Sequence, residues 1–277
     1  SIAISAIDSM MAPGIQMLVS KKGKIVFNKS FGYHTYKKLN KLENNHVFDL
    51  SSITKILATM PLVIQEYETG NLSLNTKLNE LFPKKKLADK GDITLKEMLS
   101  HFARLRPWIP FYEETLNRKE KPKSRFYKTN SRSSFSIPVT ENLYLKRNYN
   151  NKIFKSIVES ELIEKLEFKY SDLPFYFLKF WFEDIYNKPL DLLAEERIFN
   201  KLQLERTMFN PYKKLKLDEI VPTEEDDFFR YSKLHGYVHD EGAAMLGGIS
   251  GHAGLFSNSY EVAVILQAMI QGGSYNN

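Results

Sequence analysis

Cysteine is absent from the 277 residues of this chain, which excludes disulfides, thiol nucleophiles and thiolate metal sites. Long apolar runs are absent as well. Residues 56–64 are largely apolar but continue into Gln65 and Glu66, whereas a helix that crosses a bilayer needs ~20 apolar residues. The first residues carry neither the charged region nor the cleavage site of a signal peptide, and we expect the chain to start inside a longer precursor.

Acidic residues are fewer than basic ones, and the formal net charge is +6 with a pI of about 9.1. The basic residues form runs at residues 84–86 and 119–128. A nucleic-acid-binding protein combines such runs with aromatics on a recognisable module, and this sequence contains no such module. We therefore predict no nucleic-acid partner and interpret the lysines as solvated. The charge is compatible with a mild preference for anionic substrates or cell-wall polymers.

Hydrophobic periodicity predicts a largely helical chain with few strands. A β-hairpin is predicted at residues 15–20 and 25–27, with its turn at Gly23. Residues 113–150 and 205–240 lack clear periodicity, and we interpret them as loops, the first as an insertion over the core. No strand is evident after residue 240, so the hairpin lacks the partners that a stable sheet needs. The predicted helices cover residues 2–11, 52–68, 94–101, 152–162, 173–186, 190–200 and 260–270.

Ser52 and Lys55 stand three residues apart at the start of a predicted helix, which places them one turn apart on the same face. A serine hydroxyl becomes a nucleophile when a neighbouring base takes its proton, and a lysine with a depressed pKa can be that base. The helix N-terminus adds partial positive charge that favours a developing anion. Ser-x-x-Lys alone also occurs in ordinary helices. A catalytic interpretation therefore needs support from other motifs in the sequence.

A second group, Tyr170-Ser171-Asp172, opens the apolar segment 173–186. A tyrosine beside a cationic lysine can shuttle a proton to a leaving group. Asp172 has an alternative structural reading, because Asp is a preferred N-cap residue and a helix is predicted to follow it.

These two motifs, in this order, resemble the serine β-lactamase and penicillin-binding-protein superfamily, in its class C and esterase branch. The resemblance covers nearly the whole chain and implies a single domain over residues 1–277. It implies a mixed α/β (α+β) fold of the β-lactamase/transpeptidase type, in which helices flank an antiparallel sheet beside an all-helical region. The site would lie between the two, at the start of the Ser52 helix. The further matching landmarks are residues 48–55, 70–74, 93–101 and 247–257.

The resemblance also implies roles for the site residues. Ser52 would be the acylated nucleophile, Lys55 its general base and Tyr170 the proton shuttle. Asp172 stands where many relatives have Asn, and its carboxylate would hold Lys55 protonated, which leaves the identity of the base open. The backbone N–H of Ser52 would form half of the oxyanion hole. No cofactor is expected.

One superfamily motif is missing. Relatives carry Lys-Thr-Gly or His-Thr-Gly on a C-terminal strand that lines the site, and neither tripeptide occurs in this sequence. Residues 251–254 are superficially similar but precede a predicted helix. Since the chain ends about where that strand should begin, we expect the final strands to be missing and the site to be incomplete.

Three further stretches, residues 106–112, 220–224 and 235–241, resemble a bacterial subgroup that is often fused behind a family 3 glycoside hydrolase in cell-envelope proteins. This implies hydrolysis of an amide or ester in a muropeptide or another small peptidoglycan-derived molecule, in the periplasm or outside the cell. A fused or neighbouring glycoside hydrolase would be a partner. Two alternatives stay open: a non-catalytic module that binds cell-wall fragments, and a general carboxylesterase.

Five more residues are candidates for binding substrate or supporting the site. Trp108 and Tyr112 would form either a cleft wall or part of the core. His239 and Asp240, with His252 nearby, would either line the cleft or stabilise a loop through hydrogen bonds.

A metal site is not predicted. His235 and His239 have a spacing that binds zinc when it falls on a helix, but Gly236 argues against a helix and no third ligand is evident. The run of carboxylates at residues 224–227 is interpreted as a solvated loop rather than a glycosidase pair, because adjacent carboxylates on one loop do not flank a substrate.

Overall fold

The computed structural model describes residues 2–274 and has an α/β architecture with antiparallel sheets, as predicted. Its α-helices are α1 Ile2–Asp8, α2 Met60–Glu68, α3 Leu78–Leu81, α4 Leu95–Leu99, α5 Tyr149–Glu159, α6 Leu173–Tyr186, α7 Leu190–Ala194, α8 Glu241–Met245 and α9 Ser259–Ile270. Its strands are β1 Gly14–Lys21, β2 Lys24–Gly32, β3 Phe48–Asp49, β4 Tyr127–Lys128, β5 Ile137–Thr140, β6 Leu143–Leu145, β7 Met208–Phe209, β8 Glu224–Asp226, β9 Ser232–Leu234 and β10 Leu255–Ser257.

The N-terminal hairpin is confirmed. Strands β1 and β2 pair antiparallel from Gly14↔Gly32 to Lys21↔Lys24. Lys22 and Gly23 both have positive φ, which is the backbone that a tight two-residue hairpin turn requires. Helix α9 packs against β1 and α1 against β2, so the hairpin rests on helices at both ends of the chain.

A second small sheet leads to the predicted nucleophile, in the order β3-β10-β7. Phe256 of β10 pairs with Asp49 of β3 on one side and with Met208 of β7 on the other. The prediction that no strand follows residue 240 was wrong. Strand β10 has three residues, all buried, so it shows none of the alternation by which a half-exposed strand is found.

The two segments predicted as loops contain short strands. Within residues 113–150, β4, β6 and β5 form a three-stranded antiparallel sheet, and within residues 205–240, β8 pairs with β9. These strands have two to four residues each, too few for a period-2 pattern to stand out. The loop prediction for these stretches therefore needs correction.

The carboxylate run at residues 224–227 is likewise not a solvated loop. Asp226 is 3% exposed and Arg230 5%. Arg230 Nε lies 2.5 Å from Asp226 Oδ2, and Asp226 Oδ1 accepts the N–H groups of Phe229 and Arg230. A buried charge requires a partner, and the basic residue four positions later supplies it.

The predicted helix over residues 52–68 is three successive segments. A 3₁₀ turn spans Ser51–Ile53, a π-helical turn spans Lys55–Thr59, and α2 follows with Pro61 in its first turn. Pro61 has no N–H to donate, which prevents a regular α-helix from continuing through it. The wider π turn precedes it and contains Lys55; π turns of this kind occur frequently at functional sites.

Two predicted helix ends are confirmed, the start of α4 and the end of α2. Thr94 and Glu97 form the predicted capping box at α4: the Thr94 hydroxyl accepts the Glu97 N–H at 3.2 Å, and the Glu97 carboxylate accepts the Thr94 N–H at 2.8 Å. Gly70 closes α2 with φ of +79°.

Helix α6 has the predicted bounds and is the centre of the core. Its first ten residues are all buried, including Phe177 and Phe182 at 0% exposure. Among residues 2–274, no helix has the length and apolarity needed to cross a membrane.

Candidate active site

The turn after β3 presents Ser52 to solvent. Ser52 is exposed, whereas Lys55 one turn later is buried at 3% exposure. Lys55 Nζ donates a hydrogen bond to Ser52 Oγ at 2.8 Å. The pair that the sequence spacing singles out is therefore in direct contact, with the nucleophile outside and the amine inside.

Four residues besides Ser52 surround the Lys55 amine. Asp172 Oδ1 lies 2.7 Å from Nζ as an ion pair, although its approach is not that of a hydrogen bond. Nζ also donates to the carbonyl of His252 at 3.2 Å. The rings of Tyr170 and Phe175 have centroids 5.1 and 5.4 Å from Nζ. The amine therefore lies among a carboxylate, a backbone carbonyl and two aromatic faces, which are groups that bind a cation.

Asp172 does not act as a helix cap. It occupies the residue before α6, but its side chain makes no capping hydrogen bond. The capping alternative is therefore wrong. The hydroxyl of Ser171 accepts the Leu173 N–H at 3.2 Å and donates to the Arg106 carbonyl at 2.6 Å. The neighbouring serine satisfies the helix start, which leaves the Asp172 carboxylate available to Lys55.

His101, to which sequence reasoning gave no role, lies beneath Tyr170. Its ring is 4.6 Å from the Tyr170 ring, and its Nδ1 accepts the Ser171 N–H at 3.2 Å. Burial lowers the pKa of His101, Lys55 lowers it further, and Asp172 raises it. The only sequence signal for this residue was its place at the end of a family landmark.

His252 is a supporting residue rather than a cleft residue, because it is 1% exposed. Its Nδ1 contacts Ser250 Oγ and its Nε2 contacts Asp240 Oδ1, each at 2.8 Å. The Tyr176 ring stacks on it at 4.3 Å. The His252 carbonyl, which accepts from Lys55, therefore belongs to a residue whose ring is fixed by Ser250, Asp240 and Tyr176.

The segment around His252 is fixed by the close packing of Gly251 against α6 and by the Asp240 carboxylate. A Cβ on Gly251 would lie 2.3 Å from the Phe175 carbonyl, so only glycine fits beside α6 there. Burial alone would raise the pKa of Asp240, but its contacts with His252 and with the Ala243 N–H hold that pKa well below its usual range. Asp240 also caps α8 by accepting the Ala243 N–H at 2.6 Å.

His239 is 48% exposed at its side chain and is held on both backbone sides. Its N–H donates to Asp49 Oδ2 at 2.6 Å, and its carbonyl accepts from Arg230 at 2.6 Å. Glu224 Oε2 lies 3.1 Å from His239 Nδ1.

His235 contacts a different partner, the Ile220 carbonyl at 2.7 Å. Within residues 2–274, no cluster of three or more His, Cys, Asp or Glu side chains could hold a metal ion.

The two aromatic candidates have different environments. Trp108 is 55% exposed and lines a shallow depression of about 370 Å³. It follows Pro107, whose carbonyl accepts the Asp172 N–H at 2.8 Å. Tyr112 packs on Phe228 and Phe229 at ring distances of 5.8 and 5.0 Å. The structure thus places Trp108 at the surface beside the Asp172 segment and Tyr112 in an aromatic cluster.

Comparison with known proteins identifies the family and the fold of the chain. The sequence model of the family described as "Beta-lactamase" matches residues 3–276. A curated relative named "Putative D-alanyl-D-alanine carboxypeptidase" from Salmonella agona (strain SL483) is 31% identical over 288 residues. The alignment covers 96% of this chain but only 62% of that relative. The chain therefore spans less than two thirds of the relative's own length.

Solved structures share the fold. The octameric penicillin-binding protein homologue from Pyrococcus abyssi superposes with a TM-score of 0.70 at 18% identity, over 99% of this chain and 56% of that chain. A class C beta lactamase from Rhodobacter sphaeroides superposes with a TM-score of 0.65 at 15% identity, over 99% and 65%.

Proposed function

The chain belongs to the beta-lactamase family, and from that premise we propose that it is a serine hydrolase that forms an acyl-enzyme on Ser52. The observation that carries the proposal is the contact of 2.8 Å between the buried Lys55 amine and the exposed Ser52 hydroxyl. A hydroxyl that is open to substrate and in contact with a fixed amine is the arrangement that nucleophilic catalysis requires.

The proposed reaction begins with proton transfer. Lys55 acts as a base only when its nitrogen has a free lone pair, and the Asp172 carboxylate at 2.7 Å can hold the proton that leaves the ammonium. The neutral amine then takes the Ser52 proton as Oγ attacks the substrate carbonyl. The Ser52 N–H, at the first turn of the helical segment, is the proposed donor to the resulting oxyanion.

Collapse of the tetrahedral intermediate releases the amine or alcohol of the substrate. We propose Tyr170 as the group that passes a proton to it, since its ring lies 5.1 Å from Lys55 Nζ at a half-exposed position. Water then attacks the acyl-enzyme while Lys55 takes one of its protons, and Lys55 passes that proton to Ser52 Oγ as the acid product leaves. The proton held by Asp172 finally returns to Lys55. Asp240, His252 and Ser250 act in this scheme by holding the carbonyl that binds the Lys55 amine.

The proposed substrate is an amide or ester in a peptidoglycan-derived molecule. The name of the Salmonella relative, a D-alanyl-D-alanine carboxypeptidase, supports a peptide of this kind. His239 and Trp108, both half-exposed, are the proposed contacts for groups flanking the scissile bond. A cell-envelope location and a fused or neighbouring glycoside hydrolase belong to the same proposal and rest on the family resemblance.

Hydrolysis assays test the proposal. The full-length protein and its Ser52→Ala variant are incubated with an acyl-D-Ala-D-Ala peptide, a short nitrophenyl ester and a penicillin, and released product is measured. We expect turnover of the peptide that is abolished in the variant. Turnover of the ester alone would identify a general esterase instead. Binding of the peptide without turnover of any substrate would identify a binding module.

A further inference from the structure

The backbone turn immediately before Ser52 is strained. Ser51 has φ of +45°, and a residue other than glycine adopts this left-handed region at a cost of about 1–3 kcal/mol. The Ser51 N–H donates to Asp49 Oδ1 at 2.9 Å, and the Ile53 N–H donates to the Leu50 carbonyl at 3.0 Å. Because this turn directs the Ser52 side chain, the group that holds Ser51 also sets the position of the nucleophile.

The other oxygen of Asp49 holds a segment that is distant in sequence. The His239 N–H donates to Asp49 Oδ2 at 2.6 Å, across a separation of 190 residues. Arg230, whose side chain is 0% exposed, donates to the carbonyls of Val238 and His239 at 2.7 and 2.6 Å. Hydrogen bonds to charged groups are stronger than neutral ones. The segment 238–239 is therefore fixed by charged side chains from two directions.

The same segment also reaches the proposed base. Asp240, the next residue, accepts from His252 Nε2 at 2.8 Å, and the His252 carbonyl accepts from Lys55 Nζ at 3.2 Å. Residues 238–240 are thus connected to the nucleophile turn through Asp49 and to the amine through His252. Hydrogen bonds therefore connect residues 238–240 both to the turn that precedes Ser52 and to Lys55.

We propose that Asp49 is a positioning residue for acyl transfer by Ser52: its carboxylate holds the Ser51 turn and the His239 segment together, and so aligns Ser52 with Lys55. This inference rests on the proposed function and adds a residue that acts through two backbone N–H groups. Protonation would place a hydrogen on one of the two oxygens and weaken its acceptance of the backbone N–H, so both oxygens accept at full strength when the carboxylate is ionised. Loss of that charge therefore misplaces the nucleophile without removing any reacting group.

The pH dependence of this device is set by its surroundings. Burial raises the pKa of Asp49, and the His239 and Ser51 N–H groups lower it. The charged groups that face it are His239, which lowers the pKa, and Asp240, which raises it. Ser52 reactivity should accordingly fall as the pH drops through the acid range in which Asp49 is protonated.

The test measures the rate at which Ser52 is labelled by a fluorophosphonate probe, followed by intact mass. In Asp49→Asn the amide keeps one acceptor and turns its NH₂ group toward the other N–H. We expect labelling to slow by about 10- to 100-fold, the loss that a small misplacement of a reacting group produces, with the melting temperature nearly unchanged. The parent's rate profile should contain an acid step from Asp49 protonation, and this variant should lack that step. If Asp49→Asn does not fold, Asp49→Glu retains the charge and is expected to slow labelling through the displaced carboxylate.

A rescue experiment separates positioning from general stability. Glycine adopts positive φ without a Cβ penalty, so adding Ser51→Gly to the Asp49→Asn variant should recover part of the lost rate. The matched control is Asp191→Asn. Its carboxyl also has a pKa raised by burial and also accepts a nearby N–H, that of Leu192 at 2.9 Å, but it lies in α7. This control should label at the parent rate.

The outcomes are distinguishable. A parent chain that labels while Asp49→Asn labels at the same rate overturns this inference alone. So does a slowed variant that Ser51→Gly leaves unimproved. A parent chain that takes no label overturns the proposed function, and this inference with it.

Discussion

A buried pair of histidines should make the fold sensitive to acid. His34 and His46 are 3% and 8% exposed, and His34 Nε2 lies 2.7 Å from His46 Nδ1. Because the Glu43 N–H also points to His46 Nδ1, at 3.3 Å, that nitrogen is the acceptor and His34 Nε2 the donor. His34 Nδ1 has no hydrogen-bond partner among the described residues. A proton added there would be buried without an acceptor.

The magnitude follows from the shift in pKa. Burial, with a further contribution from His46, lowers the pKa of His34 from 6.5 to about 4; His235 and Lys233 act in the same direction and Asp218 opposes them. Between these two pH values the unfolded chain binds the proton and the folded chain does not. Stability is therefore complete above pH 6.5 and falls as the pH drops toward 4. At about 1.4 kcal/mol for each pKa unit, the loss is about 3 kcal/mol.

The assay is urea unfolding at pH 7 and at pH 4.5, on the parent chain and on His34→Gln. Glutamine can keep an N–H donor for His46 but cannot be protonated, so most of the difference between the two pH values should disappear. The control is His239→Gln, which replaces a half-exposed imidazole and should retain the parent's pH dependence. An equal loss of stability in His34→Gln and the parent would refute the reasoning.

Three further predictions concern ion pairs and the proposed chemistry. Asp226→Asn removes the carboxylate that pairs with Arg230 where both side chains are 0% exposed, and leaves the partly exposed Glu224 at 3.3 Å as the remaining carboxylate partner, so urea unfolding should show a loss of about 3–5 kcal/mol; a loss below 1 kcal/mol would contradict this. Tyr170→Phe removes the proposed proton shuttle and should lower kcat by about 10²- to 10⁴-fold, and an unchanged kcat would remove Tyr170 from the mechanism. Asp172→Asn removes the carboxylate that is proposed to take the proton leaving Lys55, so Ser52 labelling should slow; an unchanged labelling rate would show that this ion pair does not govern the base.

Sequence reasoning succeeded where the signal is local. The bounds of α6 follow from an apolar run that begins at Leu173, with Pro174 in the first turn, and the capping box at Thr94 and the close of α2 at Gly70 follow from single residue types. The Ser52–Lys55 contact also belongs here, because a spacing of three residues brings side chains together on any helical turn. The actual turn contains 3₁₀ and π segments rather than regular α-helix, yet the two residues still meet.

Sequence reasoning failed where partners are far apart in the chain. Asp49 and His239 are separated by 190 residues, and no spacing rule connects them. Strand β10 is short and wholly buried, so its pairing with β3 has no periodic signature. The role of Asp172 was left between helix cap and partner of Lys55, because the choice depends on which neighbour satisfies the start of α6.

The sequence also gave no sign that an ion pair within residues 224–230 is buried. The run at residues 224–227 has the composition of a solvated loop, and only the tertiary structure shows that Arg230 neutralises Asp226 in the interior. An ion pair at a spacing of four residues is visible in sequence, but its burial depends on the segments that cover it.

The central claim is that Ser52 is a nucleophile activated by Lys55. Its most direct test is intact-mass spectrometry of the full-length protein after incubation with a fluorophosphonate probe, with Ser52→Ala and Lys55→Met as paired variants. We expect one adduct on the parent protein, located at Ser52 by peptide mapping, none on Ser52→Ala, and strongly slowed labelling of Lys55→Met. An adduct that persists in Ser52→Ala, or a Lys55→Met variant that labels at the parent rate, would contradict it.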